Sequence, residues 1–255
     1  MATSQTVFYF SFILSCLIVS TVSSFKNTEH RYSNSKPRYV PPIPCRDDFA
    51  KVAAELFPSD ASIAVEIGVY RGDFAANNLK HWKGKYVMVD AWRWRSSDPG
   101  DKNFADDETN YANYQATIDA TKQFSARTEL VRNTSTEAVV RFQDRSIQWL
   151  YIDALHTHAA VLTDLVSWFP KLMCGGLMSG DDYGDAADNP FLPTERWLSY
   201  FKNSGFIRDA SSTWGVVSAV NTFAKLNNQE LHVTWMHDCY PHPAWYFLKR
   251  CSLTS

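Results

Sequence analysis

From about Cys45 onward the chain alternates short β-rich runs with amphipathic stretches, and this most constrains what it can fold into. Five runs come in order: residues 62–67, 86–90, a weaker 128–131, 147–153 and 176–179. Between and after them lie helical patterns. Residues 158–169 carry Val161, Leu162, Leu165 and Trp168 at helical spacing, and 215–227 carry Val216, Val220 and Phe223 on one face. Residues 231–235 and 244–249 read as two closing strands. Strands separated by helices predict an α/β domain whose largely parallel sheet is crossed by helices. Two segments, 92–110 and 184–214, carry no regular pattern, and connections of that length in a compact domain are usually functional covers or disordered. The second holds Phe191, Trp197, Tyr200, Phe201 and Trp214 and reads as a lid or acceptor pocket, or as a helix packed on the core.

Residues 7–22 are apolar, interrupted by Ser11, Ser15, Ser20 and Thr21. The run is shorter than the roughly 20 residues of a spanning helix. It ends in Val22-Ser23-Ser24, which suits cleavage after Ser24, so residues 1–24 are expected to be a signal peptide. No basic residue precedes the run, while Lys26, Arg31, Lys36 and Arg38 follow it, the charge order of an uncleaved anchor. The basic, Ser-containing stretch 25–38 also admits a bipartite organelle-targeting presequence. Residues 25–44, with Pro37, Pro41, Pro42 and Pro44, form a Pro-rich linker, and residues 45–255 form the folded domain. The expectation is a secretory or membrane-associated protein that meets a membrane only through an uncleaved N-terminal segment; an organelle is the alternative.

A net charge of −2 and the lack of any Lys/Arg run give no footprint for nucleic acid. Five cysteines include Cys16 in the leader. Cys45, Cys174, Cys239 and Cys251 allow three pairings, and none has metal-ligand spacing. Cys239 and Cys251 flank the last strand and could bridge in an oxidising compartment, or all four could pack as free thiols.

The first strand runs into Glu66-Ile67-Gly68-Val69-Tyr70-Arg71-Gly72 and then a helix. This lacks the close glycine pair of the dinucleotide fingerprint and suits a ligand with a cationic amino-acid end. Gly68 lets the backbone approach that ligand, and Glu66 can meet its ammonium group. Asp90 ends the second strand, 24 residues after Glu66, where a carboxylate can accept ribose hydroxyls. Together they point to an adenosine-containing ligand at the carboxyl ends of the sheet. Asp153 ends the fourth strand, and Asp181 and Asp182 follow the fifth. Three acids in one cleft repel unless a cation lies among them, and oxygen donors select Mg²⁺, Mn²⁺ or Ca²⁺ over Zn²⁺. The plain alternative is a pair of solvated turn or cap residues. His156, three residues after Asp153, can accept a proton from an acceptor hydroxyl, or it can simply pack on the next helix, whose start His158 marks.

In order and spacing these stretches resemble class I S-adenosylmethionine (SAM)-dependent methyltransferases, in particular the methyltransferase 24-type small-molecule branch. The likeness runs through residues 65–72, 87–92 and 149–156, then Asp164-Leu165, 171–176 and 180–183, and more loosely over 215–250. It implies a Rossmann-like seven-stranded, mostly parallel sheet with helices on both faces and the last strand antiparallel. It implies SAM on Glu66, Gly68 and Gly72, its ribose on Asp90, and its adenine bordered by 132–135, where Ser135 matches the family's polar residue. Asp153, Asp181 and Asp182 match the acids that hold Mg²⁺ in those relatives that use a metal, and His156 with Asp153 forms the expected catalytic pair. The implied reaction is in-line methyl transfer to a small-molecule or glycan acceptor, on a hydroxyl oxygen, by a chain that could form a homodimer. A hydroxylase-like enzyme on the same fold, or a non-catalytic binding protein, are the alternatives. Asn133-Thr134-Ser135 is also an N-glycosylation sequon, at the rim of the expected adenine site: the chain lies outside the glycosylating lumen, or the sequon is buried and unused, which is the favoured expectation, or the cofactor reading fails.

Overall fold

The computed structural model describes residues 40, 42–93, 106–184, 215–235 and 242–251. The leader, Cys239 and the aromatic residues of 184–214 named above, Phe191 to Trp214, lie outside them. Seven strands form one sheet: β1 (Ile63–Ile67), β2 (Lys85–Asp90), β3 (Thr128–Arg132), β4 (Ile147–Ile152), β5 (Leu172–Gly180), β6 (His232–Val233) and β7 (Trp245–Leu248). Their spatial order is β3-β2-β1-β4-β5-β7-β6. The first five are parallel, and β7 runs antiparallel to both β5 and β6. The order reverses between β1 and β4, the position at which open α/β sheets bind ligands.

The period-two alternation of each central strand divides the core into two layers. Val65, Ile67, Leu150 and Ile152 face one side, against α5 (His158–Trp168) and the helix Val216–Leu226, here α6. Ala64, Trp149 and Tyr151 face the other, against α1 (Phe49–Leu56) and α2 (Asp73–Asn78). Both faces are covered, so these strands read as continuous apolar runs. Two further α-helices are described, α3 (Asp107–Thr121) and the single turn α4 (Ser135–Ala138). No helix among the described residues is long and apolar enough to cross a membrane.

The cysteine pairing differs from the one singled out in the sequence. Cys251 is bonded to Cys174, at the start of β5, and not to Cys239. The reason is the antiparallel pairing of β7 with β5, which carries the chain end back to the first residues of β5; Gly175 N–H donates to Lys249 O at 2.9 Å. Cys45 is disulfide-bonded too. Before it, Ile43 is already fully buried, its N–H donating to the Tyr246 hydroxyl at 3.0 Å.

Candidate active site

The glycine turn after β1 is closed by direct backbone contact with the end of β4. Gly68 has φ +84°, and a Cβ there would lie 1.8 Å from the Asp153 carbonyl oxygen. The Gly68 N–H donates to Val89 O, and the Asp153 N–H donates to Ile67 O, at 2.9 and 2.7 Å. Three strand ends are thereby drawn to one place. Gly72, φ +81°, makes the second approach, against Thr117 of α3. Tyr70, Trp92 and Asp182, just past the ends of β1, β2 and β5, all have positive φ. Strain of this kind persists where surrounding contacts over-determine it, and functional sites are where it collects.

Asp90 sits where the sequence placed it and holds the turn from below. Its Oδ2 accepts the Val69 and Tyr70 N–H groups at 2.8 and 3.0 Å, and its Oδ1 accepts the Trp92 N–H at 2.8 Å. A carboxylate offers about four acceptor positions, so the fold uses most of them. Trp92 is buried and donates its indole N–H to Tyr70 O at 2.8 Å. Arg132 donates to Trp92 O at 3.0 Å and lies over the Tyr114 ring, 5.5 Å from its centroid.

Glu66 is 1% exposed, and burial pushes its carboxyl up to about 8 against the opposing hydrogen bond from Tyr86. The Tyr86 hydroxyl donates to Glu66 Oε2 at 2.7 Å and accepts from Asn78 Nδ2 at 2.9 Å. Ser135 opens α4 behind a capping box of Thr134 and Glu137. Its hydroxyl points inward and donates to Asp164, a buried carboxyl pushed up to about 6. Asn133 of the sequon is half-buried.

At the ends of β4 and β5 the structure brings together Asp153, His156 and Asp182. One donor atom from each lies within 4.8 Å of the others. His156 Nε2 is 2.8 Å from Asp182 Oδ2 and 3.5 Å from Asp153 Oδ1. The loop after β4 is fixed by the Gly215 N–H, which donates to His156 O at 2.8 Å as α6 begins. Asp181, the third expected acid, is not part of this group. Its side chain is buried and its Oδ2 is ion-paired with Arg46, from the segment before α1. Desolvation, then the nearby Asp153 charge, hold the Asp181 carboxyl well above the usual range.

Two residues the sequence did not mark stand at the same place. His242 Nε2 lies 3.9 Å from Asp182 Oδ1, brought there because the Tyr183 N–H donates to Pro243 O at 2.8 Å. Burial lowers the affinity of its imidazole for a proton. The other is Arg46. Neither follows a strand in the parallel part of the sheet, so no strand-end signal points to them.

A methyltransferase-domain family profile matches residues 65–183, from β1 to the loop after β5. No curated protein matches the chain in sequence. Among solved structures, an O-methyltransferase from Bacillus cereus in complex with SAH is 12% identical over 84% of each chain, with a TM-score of 0.51. A candidate caffeoyl-CoA O-methyltransferase from Staphylococcus aureus is 13% identical over 82% of this chain and 86% of that one, with a TM-score of 0.54. A Corynebacterium glutamicum protein aligns over 83% of each chain at 11% identity and a TM-score of 0.51. At such identities the structures establish the fold, and the profile covers the segment that carries the glycine turn and both acidic strand ends. Residues 65–183 therefore match a methyltransferase domain, and they lie on a sheet with the Rossmann-like strand order of the structures it resembles.

Proposed function

We propose that this methyltransferase acts on a hydroxyl oxygen of a small-molecule or glycan acceptor, in the cleft between the ends of β4 and β5. The observation that carries the reading is His156 Nε2 held 2.8 Å from Asp182 and 3.5 Å from Asp153. A hydroxyl must lose its proton as its oxygen becomes a nucleophile, and an imidazole whose Nε2 faces both carboxylates is suited to take it. Asp182 and Asp153 orient the ring and stabilise the imidazolium that forms.

SAM, when bound, supplies an electrophilic methyl carbon on its sulfonium. The residues present fit it: Gly68, packed on the Asp153 carbonyl, draws the turn after β1 against the end of β4, and the buried Glu66 stands beside that turn. Glu66 would meet the ammonium group, Asp90 the ribose, Gly68 and Gly72 would shape the turn, and Ser135 would border the adenine. A divalent ion such as Mg²⁺ would fall to Asp153 and Asp182, with His156 beside them and Asp181 withheld by Arg46. Its chemistry there would be to lower the pKa of an acceptor hydroxyl. The disulfides at Cys45 and Cys174–Cys251 support an oxidising compartment, in keeping with a secretory leader.

The test is methyl transfer from labelled SAM to a panel of small-molecule and glycan hydroxyls, with matched amines and carboxylates, before and after chelation and Mg²⁺ addition. Hydroxyl transfer should fall by about 10²- to 10⁴-fold in His156→Ala, while S-adenosylhomocysteine binding is retained. Transfer confined to amines, or full activity in His156→Ala, would remove the reading.

A further inference from the structure

The cofactor's amino-acid end carries two charges, a cationic ammonium and an anionic carboxylate. The turn after β1 offers a partner to the first in Glu66. Its surroundings are hostile to the second, because Asp153, Asp181 and Asp182 converge on the same strand ends. An added carboxylate among them needs a cation with hydrogen-bond donors aimed at it.

Arg46 is placed to be that cation. Its guanidinium contacts Asp181 and lies over the ring of Phe74, 4.6 Å from the centroid. Phe74 is the second residue of α2, directly after Gly72. Asp181 is tied to the end of β4, where its N–H donates to Ile152 O at 3.1 Å, next to the Asp153 carbonyl on which Gly68 packs. Arg46 therefore stands between the glycine turn and the acidic strand ends, and its charge is felt by Glu66, Tyr86, Tyr151 and Asp181 alike.

The segment that carries it is fixed at both sides. Ile43 is buried and bonded to Tyr246, Cys45 is disulfide-bonded, the Asp48 N–H donates to Cys45 O at 3.1 Å, and Phe49 is fully buried. A guanidinium held this way has lost its conformational freedom before any ligand arrives, which favours bidentate recognition of a carboxylate. A guanidinium carries five N–H donors, more than one carboxylate can use.

We infer that Arg46 binds the α-carboxylate of the cofactor, and that the segment before α1 thereby selects the complete amino-acid end of SAM over adenosine ligands that lack the carboxylate. The inference rests on the assignment of that end to the Glu66 turn.

Calorimetric titration of the full chain with S-adenosylhomocysteine and with its decarboxylated analogue tests both. The wild-type chain should prefer S-adenosylhomocysteine by about 10- to 100-fold, the range of a charge-assisted hydrogen bond. Arg46→Gln should lose affinity for S-adenosylhomocysteine and bind the two ligands equally, and Arg46→Lys should restore part of the preference. Because the readout is a ratio within each variant, a loss of stability does not mimic it. Equal weakening of both ligands in Arg46→Gln, or no preference in the wild type, would overturn the role of Arg46 alone. A preference for S-adenosylhomocysteine that survives Arg46→Gln, with both ligands weakened together in Glu66→Gln, would do the same while keeping the Glu66 assignment. Failure of the wild type to bind either ligand would sink the assignment beneath it.

Discussion

A carboxyl that is 1% exposed and bonded to a buried phenol is neutral at pH 7 when its value is raised to about 8, and Glu66 is such a group. Raised in the fold above its ordinary 4.5, it contributes stability that is complete below about 4.5 and is lost as pH climbs to about 8. Asp164 and Asp181 are displaced in the same direction, so the wild type as a whole should weaken with rising pH. Glu66→Gln isolates the single group. Without cofactor, the variant should gain on the wild type between pH 5 and pH 8.5, read as the difference of their thermal midpoints. The ligand side has the opposite sign. An ammonium group favours the ionised carboxyl, so S-adenosylhomocysteine should bind the wild type more tightly as pH rises from 6 to 8 and level off above it. Glu66→Gln should flatten that profile. A wild-type affinity that is level across this range would show that Glu66 ionisation is not linked to binding.

At the scale of elements, the two glycines of the turn meet different obstacles, so their substitutions should behave differently. Both have positive φ, a conformation that costs a residue with a side chain about 1–2 kcal/mol. At Gly72 the new Cβ would meet the Thr117 methyl at 2.9 Å, which can be deleted, and the Thr117 Cα at 3.0 Å, which cannot, so relief there is partial. At Gly68 it would meet the Asp153 carbonyl, and relief requires β1 and β4 to part at their carboxyl ends. Gly72→Ala should therefore be eased by Thr117→Ser, which keeps the hydroxyl bond to Tyr70 O and deletes the methyl. Gly68→Ala should abolish S-adenosylhomocysteine binding and resist rescue. Denaturant melts and calorimetry on each glycine variant, with and without Thr117→Ser, would show this, and equal rescue at both sites would refute it. The turn was legible because glycine at a strand end is a local signal, and β1, β2 and β4 were legible because burial on both faces makes them continuous apolar runs. Only the first turn of α3 falls within the irregular stretch 92–110, and the sequence marks no element over the rest of it. Its buried residues are Asn113, Thr117 and Thr121, which form no apolar stripe. The start of β5 was missed because Gly175 and Gly176 interrupt its pattern. Likewise Asp181 was expected beside Asp153 and Asp182, and no local signal tells that its partner stands 135 residues away.

Across the whole molecule, the same blindness to distance hid the cysteine pairing. Cys174 and Cys251 are 77 residues apart and meet only because β7 returns antiparallel along β5. A bridge that closes a loop of this size restricts the unfolded chain, an effect of about 2–4 kcal/mol in practice. Cys251→Ser should lower the stability of the oxidised protein by about that amount while leaving S-adenosylhomocysteine affinity unchanged, because the bridge joins strand ends remote from the glycine turn. The bridge at Cys45 differs in kind, since the next residue is Arg46, whose guanidinium reaches Asp181. Full reduction should therefore do two things that Cys251→Ser does not. It should lower the thermal midpoint further, and it should loosen S-adenosylhomocysteine binding while sparing the decarboxylated analogue. Thiol counting alongside calorimetry separates the two bridges. If reduction of both left the affinity for S-adenosylhomocysteine intact, the segment before α1 would hold Arg46 without help from its disulfide, and the Ile43 and Phe49 contacts alone would have to account for its placement.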